Sequence, residues 1–142
     1  MNIYADSSFF VSACIFDSHT AEASLRVANH PLVWVTPLNR TEVANTIHRY
    51  AFRRVMTVTA AMAAWRNFEQ DCATGVWTQI DLPERTWESS IDLARKHGPT
   101  LGVRTLDSLH VACALELKAQ KFWTFDDQQA RLAEAVGLDT TA

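Results

Sequence analysis

The sequence has few of the residues that interrupt or cross-link a chain. Its 142 residues include only four glycines and four prolines, which leaves little room for disordered or low-complexity segments. The three cysteines (Cys14, Cys72 and Cys113) are far apart and form no C-x-x-C pair, so we interpret them as reduced packing residues of a cytoplasmic protein. With 48% apolar residues, the chain fits one compact domain that buries roughly two thirds of its unfolded surface.

Long apolar runs and an excess of positive charge are also absent. No segment approaches 18 uninterrupted apolar residues, and the first residues lack the basic stretch of a signal peptide, so neither a membrane span nor a signal peptide is expected. The formal net charge of −3 does not indicate bulk electrostatic binding of nucleic acid. If four carboxylates belong to a cation site, however, the rest of the chain carries +1, which is compatible with a phosphate-bearing substrate.

Alternating apolar strands and helices predict an open parallel sheet with helices on both faces. Strands are expected at 3–5, 32–35, 76–80 and 121–125. Helices are expected at 9–16, 20–29, 37–54, 59–73, 83–96, 104–118 and 128–136. The predicted fold class is therefore α/β, a three-layer α/β/α sandwich around a central parallel sheet of four to five strands. It forms a single domain over residues 1–137, followed by a short tail at 138–142.

The helix predicted at 104–118 organises the rest of the chain. From Leu106 to Leu117 it is apolar on almost every side, which is typical of a buried helix. Asp107 lies in its first turn, and a buried ionised carboxylate must be paired, hydrogen-bonded, metal-bound or protonated. A purely structural role is also open, because Thr105 as N-cap would place Asp107 at N2, where the helix dipole favours an acid.

Three more acids are expected near the same edge of the sheet. Asp6 and Asp126 follow the first and last strands, and Glu42 lies one turn into the helix that leaves the second strand. Ligands of open α/β sheets bind beyond the carboxyl ends of the strands, where four carboxylates would suit Mg²⁺ or Mn²⁺ better than zinc. Each acid has a structural alternative: Asp6 as a helix cap, Asp126 in an Asp-x-x-Gln capping box, and Glu42 as an exposed helix acid.

Two other α/β functions are disfavoured by the residues after the first strand. An aspartate-nucleophile phosphatase would have a second Asp two positions after Asp6, where this chain has Ser8. A Rossmann-type nucleotide binder needs a glycine-rich turn there, and none is present.

Four motifs, taken together and in this order, resemble the PIN-domain family and, within it, the VapC-type ribonuclease toxins of bacterial toxin–antitoxin pairs. The motifs are YADSS at 4–8, TEVA at 41–44, RTLDSLHVACA at 104–114 and WTFD at 123–126. The resemblance spans residues 1 to about 137. It implies that four acids bind the metal with two hydroxyls as polar support, namely Asp6, Glu42, Asp107 and Asp126 with Ser8 and Thr124. Asp127 is a departure from the family pattern, because it places a second candidate for the fourth acid next to Asp126. Asp126 is preferred because it directly follows Thr-Phe, as in the family.

The resemblance implies a metal-dependent endoribonuclease that hydrolyses RNA phosphodiester bonds with a metal-activated water. It also implies a VapB-like antitoxin partner and a homodimer. Arg49 and Arg53, on the helical face of Glu42, and Arg104 are candidate RNA-phosphate contacts, although Arg104 could instead pair with Asp107. His110 is interpreted as a hydrogen-bonded core histidine. The alternative function is a non-catalytic PIN-like domain that binds RNA or protein.

Overall fold

The computed structural model describes residues 1–142 and contains a parallel sheet of four strands flanked by seven helices. The strands are β1 (Asn2–Ala5), β2 (Leu32–Val35), β3 (Thr78–Gln79) and β4 (Lys121–Trp123). The helices are α1 (Ser7–Cys14), α2 (Thr20–Val27), α3 (Pro37–Phe52), α4 (Val58–Thr74), α5 (Thr86–Leu101), α6 (Thr105–Glu116) and α7 (Asp127–Ala135). All pairings are parallel, and the strand order is β3-β2-β1-β4. The predicted α/β fold with a central parallel sheet is confirmed.

Helices cover both faces of the sheet. Successive side chains of a strand point to opposite faces, so the residues of β1 contribute to two separate clusters. Ile3 and Ala5 of β1 belong to one apolar cluster, which they share with residues of α1, α3 and α4. Tyr4 belongs to a second cluster with Phe122 of β4 and residues of α5, α6 and α7. Because β1 lies between β2 and β4, the residue that follows it is held at the middle of the sheet.

The predicted bounds of the helix at 83–96 are wrong at both ends. Pro83 begins a turn instead, which is closed by a 3.0 Å hydrogen bond from the Thr86 amide to the Pro83 carbonyl. At its other end α5 continues through Pro99 and stops at Gly102, which adopts φ 63°. Pro99 is exposed in the last turn, where water can replace the hydrogen bond that proline removes. The third strand is also shorter than predicted, with two residues rather than five.

Residues 138–142, predicted as a short tail, lie along the free side of β4. The Phe122 amide donates to the Asp139 carbonyl at 2.8 Å, and the Trp123 indole donates to the Thr141 carbonyl at 3.2 Å. Lys121 forms an ion pair with Asp139 at 3.3 Å. The tail therefore satisfies backbone and side-chain groups of β4.

The three cysteines are unpaired, as predicted. Burial raises the pKa of the Cys14 thiol to about 12 and those of Cys72 and Cys113 to about 11. Such thiols remain protonated and are poor nucleophiles, which fits a packing role. None of the helices has the length and apolarity needed to cross a membrane.

Candidate functional site

A cavity of about 580 Å³ lies at the carboxyl ends of β1 and β4. Side chains from the ends of these strands and from α1, α3, α6 and α7 line it. Four of its lining residues are the acids singled out in the sequence, namely Asp6, Glu42, Asp107 and Asp126. The fold thus brings together acids that are up to 120 positions apart in the sequence.

Asp6 is buried directly after β1 and is held by three donors. Its Oδ1 accepts from the Ser8 hydroxyl at 2.6 Å and from the Phe9 amide at 3.1 Å, so it caps α1. Its Oδ2 accepts from the Thr124 hydroxyl at 2.7 Å. Burial raises the pKa of Asp6, although these hydrogen bonds and the nearby His110 oppose the shift. The carboxylate is therefore oriented firmly in a place where its charge is poorly solvated.

Glu42 is hydrogen-bonded to a chain of buried polar side chains. Its Oε1 accepts from the Ser7 hydroxyl at 2.8 Å and from Nε2 of His110. Nδ1 of His110 is hydrogen-bonded to the Tyr4 hydroxyl at 2.6 Å, and burial raises the pKa of Tyr4 well above its usual range. Burial would also raise the pKa of Glu42, but the hydrogen bonds and charge of His110 outweigh it and lower this pKa. Glu42 is thus ionised at neutral pH, and His110 is the hydrogen-bonded core histidine that was predicted.

Arg104 bridges the two remaining acids. Its guanidinium donates to both oxygens of Asp107, at 3.0 and 3.1 Å, and to Oδ2 of Asp126 at 2.7 Å. The hydrogen bonds to Asp107 and then to Asp126 raise the pKa of Arg104. The pairing with Asp107 that sequence reasoning left open is therefore present, and it extends to Asp126.

The cap of α6 differs from the expectation. Arg104, rather than Thr105, is the N-cap residue, so Asp107 occupies N3 and not N2. From that position its Oδ2 accepts from the Arg104 backbone amide at 3.2 Å. Thr105 cannot be the cap because its own backbone is already helical.

The capping box that was the structural alternative for Asp126 is half formed. Asp126 is the N-cap of α7 and accepts from the amides of Gln128 and Gln129 at 2.9 and 3.1 Å. The Gln129 side chain, however, does not return to Asp126 and instead donates to Oδ1 of Asp107 at 3.1 Å. Gln129 and Ser7 are thus site residues that sequence reasoning missed. The only sequence signal for Gln129 is its position three residues after Asp126, and this spacing indicates a helix cap rather than a contact with Asp107.

Four predicted residues lie outside the cavity lining, and one of them, Thr124, reaches the site through its hydrogen bond to Asp6. Asp127 is exposed in the first turn of α7, whereas Asp126 lines the cavity. Arg49 and Arg53 are exposed near the end of α3, and the residues of α3 beyond Glu42 that line the cavity are Thr46 and Tyr50. The proposed contacts of Arg49 and Arg53 with RNA remain predictions.

The carboxylate and hydroxyl oxygens of the cavity suit a hard divalent cation, although the carboxylates do not converge on one point. No three of the aspartate, glutamate, histidine and cysteine side chains lie close enough together, as they stand, to hold a metal ion. Each acid instead has its own donors, and Arg104 supplies the positive charge that Asp107 and Asp126 share. Carboxylates and hydroxyls around one cavity are the oxygen ligands that Mg²⁺ and Mn²⁺ prefer. The helix-capping roles of Asp107 and Asp126 do not explain why a cationic group, the Arg104 guanidinium, lies between them.

The PIN-domain family model matches residues 3–135, and the chain belongs to this family. Among solved structures, the VapC20 toxin of Mycobacterium tuberculosis, described as cleaving the sarcin–ricin loop, superposes with a TM-score of 0.73. Its sequence is 18% identical, and the alignment covers 98% of each chain. VapBC2 of Rickettsia felis, solved with a DNA fragment from its promoter, matches with a TM-score of 0.65 and 12% identity over 99% of this chain and 98% of that one. At these identities the likeness establishes a shared fold. No curated protein matches the sequence.

Proposed function

We propose that the protein is a Mg²⁺- or Mn²⁺-dependent endoribonuclease, acting in the cytoplasm as the toxin of a toxin–antitoxin pair. The observation that supports this function is the gathering of four carboxylates from separate parts of the chain around one cavity, with an arginine bridging two of them. Membership of the PIN-domain family and the fold shared with a toxin described as cleaving the sarcin–ricin loop support the same reaction class.

The residues of the cavity have distinct parts in this proposal. Asp6, Glu42, Asp107 and Asp126 would hold the cation. When bound, a divalent ion supplies a water of lowered pKa and stabilises charge on the scissile phosphate. The donors around each acid would keep its carboxylate oriented before substrate arrives, which is the role the sequence resemblance assigned to Ser8 and Thr124.

His110 is a positioning residue in this scheme. It is buried, and both of its ring nitrogens are engaged, one by Glu42 and the other by Tyr4. It therefore has no free nitrogen with which to accept a proton from a substrate. Its contribution is to orient the carboxylate of Glu42 toward the cavity.

The partners proposed are an RNA substrate, a VapB-like antitoxin and a second copy of the chain. The fold shared with the VapBC2 proteins, which were solved together on promoter DNA, supports the antitoxin. The homodimer rests on the family resemblance alone.

Cleavage in the presence and absence of metal tests the proposed function. Purified protein is incubated with structured RNA and Mn²⁺ or Mg²⁺, and new RNA 5′ ends are mapped by sequencing. Cleavage should occur with either ion and stop in excess EDTA, because the carboxylate cavity repels phosphate unless a cation fills it. Cleavage that persists in EDTA would point to a contaminating, metal-independent nuclease. Metal-independent binding without cleavage would favour the non-catalytic alternative.

Arg104 and a metal ion should compete for the same two carboxylates. The Arg104→Met variant is expected to bind Mn²⁺ roughly tenfold more tightly, equivalent to about 1.4 kcal/mol, because the ion no longer displaces charge-assisted hydrogen bonds. Isothermal titration with Mn²⁺ measures the affinity directly. In EDTA the same variant should melt at a lower temperature than the parent, because Asp107 and Asp126 lose their shared counter-ion.

The matched control for this experiment is Arg85→Met. Arg85 is mostly exposed and pairs with Glu116 at 3.8 Å, outside the cavity lining. Its replacement should leave the Mn²⁺ affinity unchanged. Weaker Mn²⁺ binding by Arg104→Met would show that Arg104 supports the cation site rather than competing with it.

A further inference from the structure

An exposed imidazole lies stacked on a phenyl ring at the wall of the acidic cavity. The ring centroids of His19 and Phe125 are 4.5 Å apart, and their planes differ by only 7°. Both residues line the cavity, and Phe125 directly precedes Asp126. One face of the His19 ring covers Phe125, and His19 as a residue is exposed at the cavity wall.

The stacked pair is anchored to the core. Phe125 stacks in turn on Phe9, with centroids 5.8 Å apart and planes at 23°, and Phe9 is fully buried. The guanidinium of Arg26 lies 5.5 Å from the Phe125 centroid. The His19 backbone amide donates to Asp17 at 2.8 Å, which fixes the start of α2. A ring held in this way loses little conformational entropy when a ligand stacks on it.

The cavity offers a phosphate backbone few positive charges. Arg104 is the only lysine or arginine that lines it, and two carboxylates already engage its guanidinium. Besides a bound cation, uncharged contacts can therefore add to the binding energy for a substrate. An unpaired nucleobase has such a contact available, since bases of single-stranded RNA stack on aromatic and histidine rings.

We propose that His19, backed by Phe125, is a stacking platform for one unpaired base of the RNA next to the bond that is cleaved. This inference rests on the proposed nuclease function. The platform selects for the presence of a base rather than its identity, because every base has a π face.

An abasic scan tests the platform. The probe is a short single-stranded RNA oligonucleotide that spans the cleaved bond, with the base removed at one position at a time. Parental protein with Mn²⁺ should lose about tenfold or more in kcat/KM at one position beside the cleaved bond. His19→Ala should lose a similar factor on the intact RNA and should be insensitive to removal of that same base. A purely structural role of His19 would not produce this insensitivity.

Two further variants make the outcome decisive. His19→Tyr retains a flat ring and should retain sensitivity to the missing base. His48→Ala removes an exposed histidine of α3 outside the cavity lining and should behave as the parent. If the parent cleaves RNA but His19→Ala matches it at every position, the platform is overturned and the nuclease function stands. If the parent neither binds nor cleaves RNA with Mn²⁺, both proposals fail.

Discussion

Replacement of Asp6 by asparagine should lower the rate of RNA cleavage by about a hundred- to a thousandfold, comparable to removal of one charge-stabilising group from an active site. Asparagine is nearly isosteric, and its oxygen can still accept from Ser8 and the Phe9 amide. The change removes the charge and the acceptor for the Thr124 hydroxyl, and it keeps the other two contacts of Asp6. The measurement is the cleavage rate at saturating Mn²⁺, together with melting temperatures in EDTA and in Mn²⁺.

The same substitution should stabilise the metal-free fold. The folded-state pKa of Asp6 is raised by burial, so its ionisation at neutral pH opposes folding. The asparagine side chain is uncharged, and the melting temperature in EDTA should rise by about 3 °C for each kcal/mol recovered. The difference between the two proteins should shrink as the pH falls through the folded-state pKa of Asp6 toward the unfolded value. Mn²⁺ should stabilise the parent by binding its folded state, and this stabilisation should disappear in the variant.

Asp127→Asn is the matched control for Asp6→Asn. It removes the same charge from an exposed residue beside the site, outside the cavity lining. Full activity is expected, and this result would also identify Asp126 as the fourth acid. Loss of activity in Asp127→Asn with normal activity in Asp126→Asn would reverse that assignment. An active Asp6→Asn variant would remove the basis for a carboxylate-held metal.

Phe9→Ala should lower the free energy of unfolding by about 3–5 kcal/mol, with a fall of about 10 °C in melting temperature. Phe9 is fully buried at the centre of an aromatic cluster, with ring centroids 5.2 to 6.1 Å from those of its neighbours, Phe10, Trp77, Trp123 and Phe125. Truncation leaves a cavity beneath the site that the surrounding rings cannot fill. Chemical denaturation followed by tryptophan fluorescence measures the loss.

Phe52→Ala provides the comparison for the core variant. This phenylalanine is 88% exposed at the end of α3. Its replacement should change the free energy of unfolding by less than about 0.5 kcal/mol. A loss as large as that of Phe9→Ala would indicate that Phe52 is covered in solution, for example by a second copy of the chain.

The fold and the position of the acids were predictable because both depend on local pattern and strand direction. The residue after a buried parallel strand must emerge at the carboxyl edge of the sheet, which places Asp6 and Asp126 together. Asp107 could be placed because its helix is apolar on nearly every side and must therefore be central. The end of α5 was missed because a Gly-Pro pair usually stops a helix, whereas an exposed last turn tolerates it.

The connections among the site side chains could not be read from the sequence. Arg104 reaches Asp126 across 22 positions, a contact that depends on how α6 and α7 pack. Gln129 matches a local capping pattern, yet a non-local partner, Asp107, takes its side chain. His19 shows no pattern at all, because its stacking on Phe125 depends on the path of the loop before α2. Local rules together with the family resemblance therefore singled out the acids, while tertiary packing decided what each acid contacts.

The tail along β4 also limits how copies of this protein can associate. A bare outer strand is a template for strand addition from another molecule, which leads to domain swapping or fibrous aggregates. Here one outer strand is occupied by residues that follow α7, and the other, β3, has only two residues. Neither side of the sheet offers a long stretch of unpaired backbone. Any dimer of this protein should therefore be built from helix surfaces, leaving the sheet itself uninterrupted.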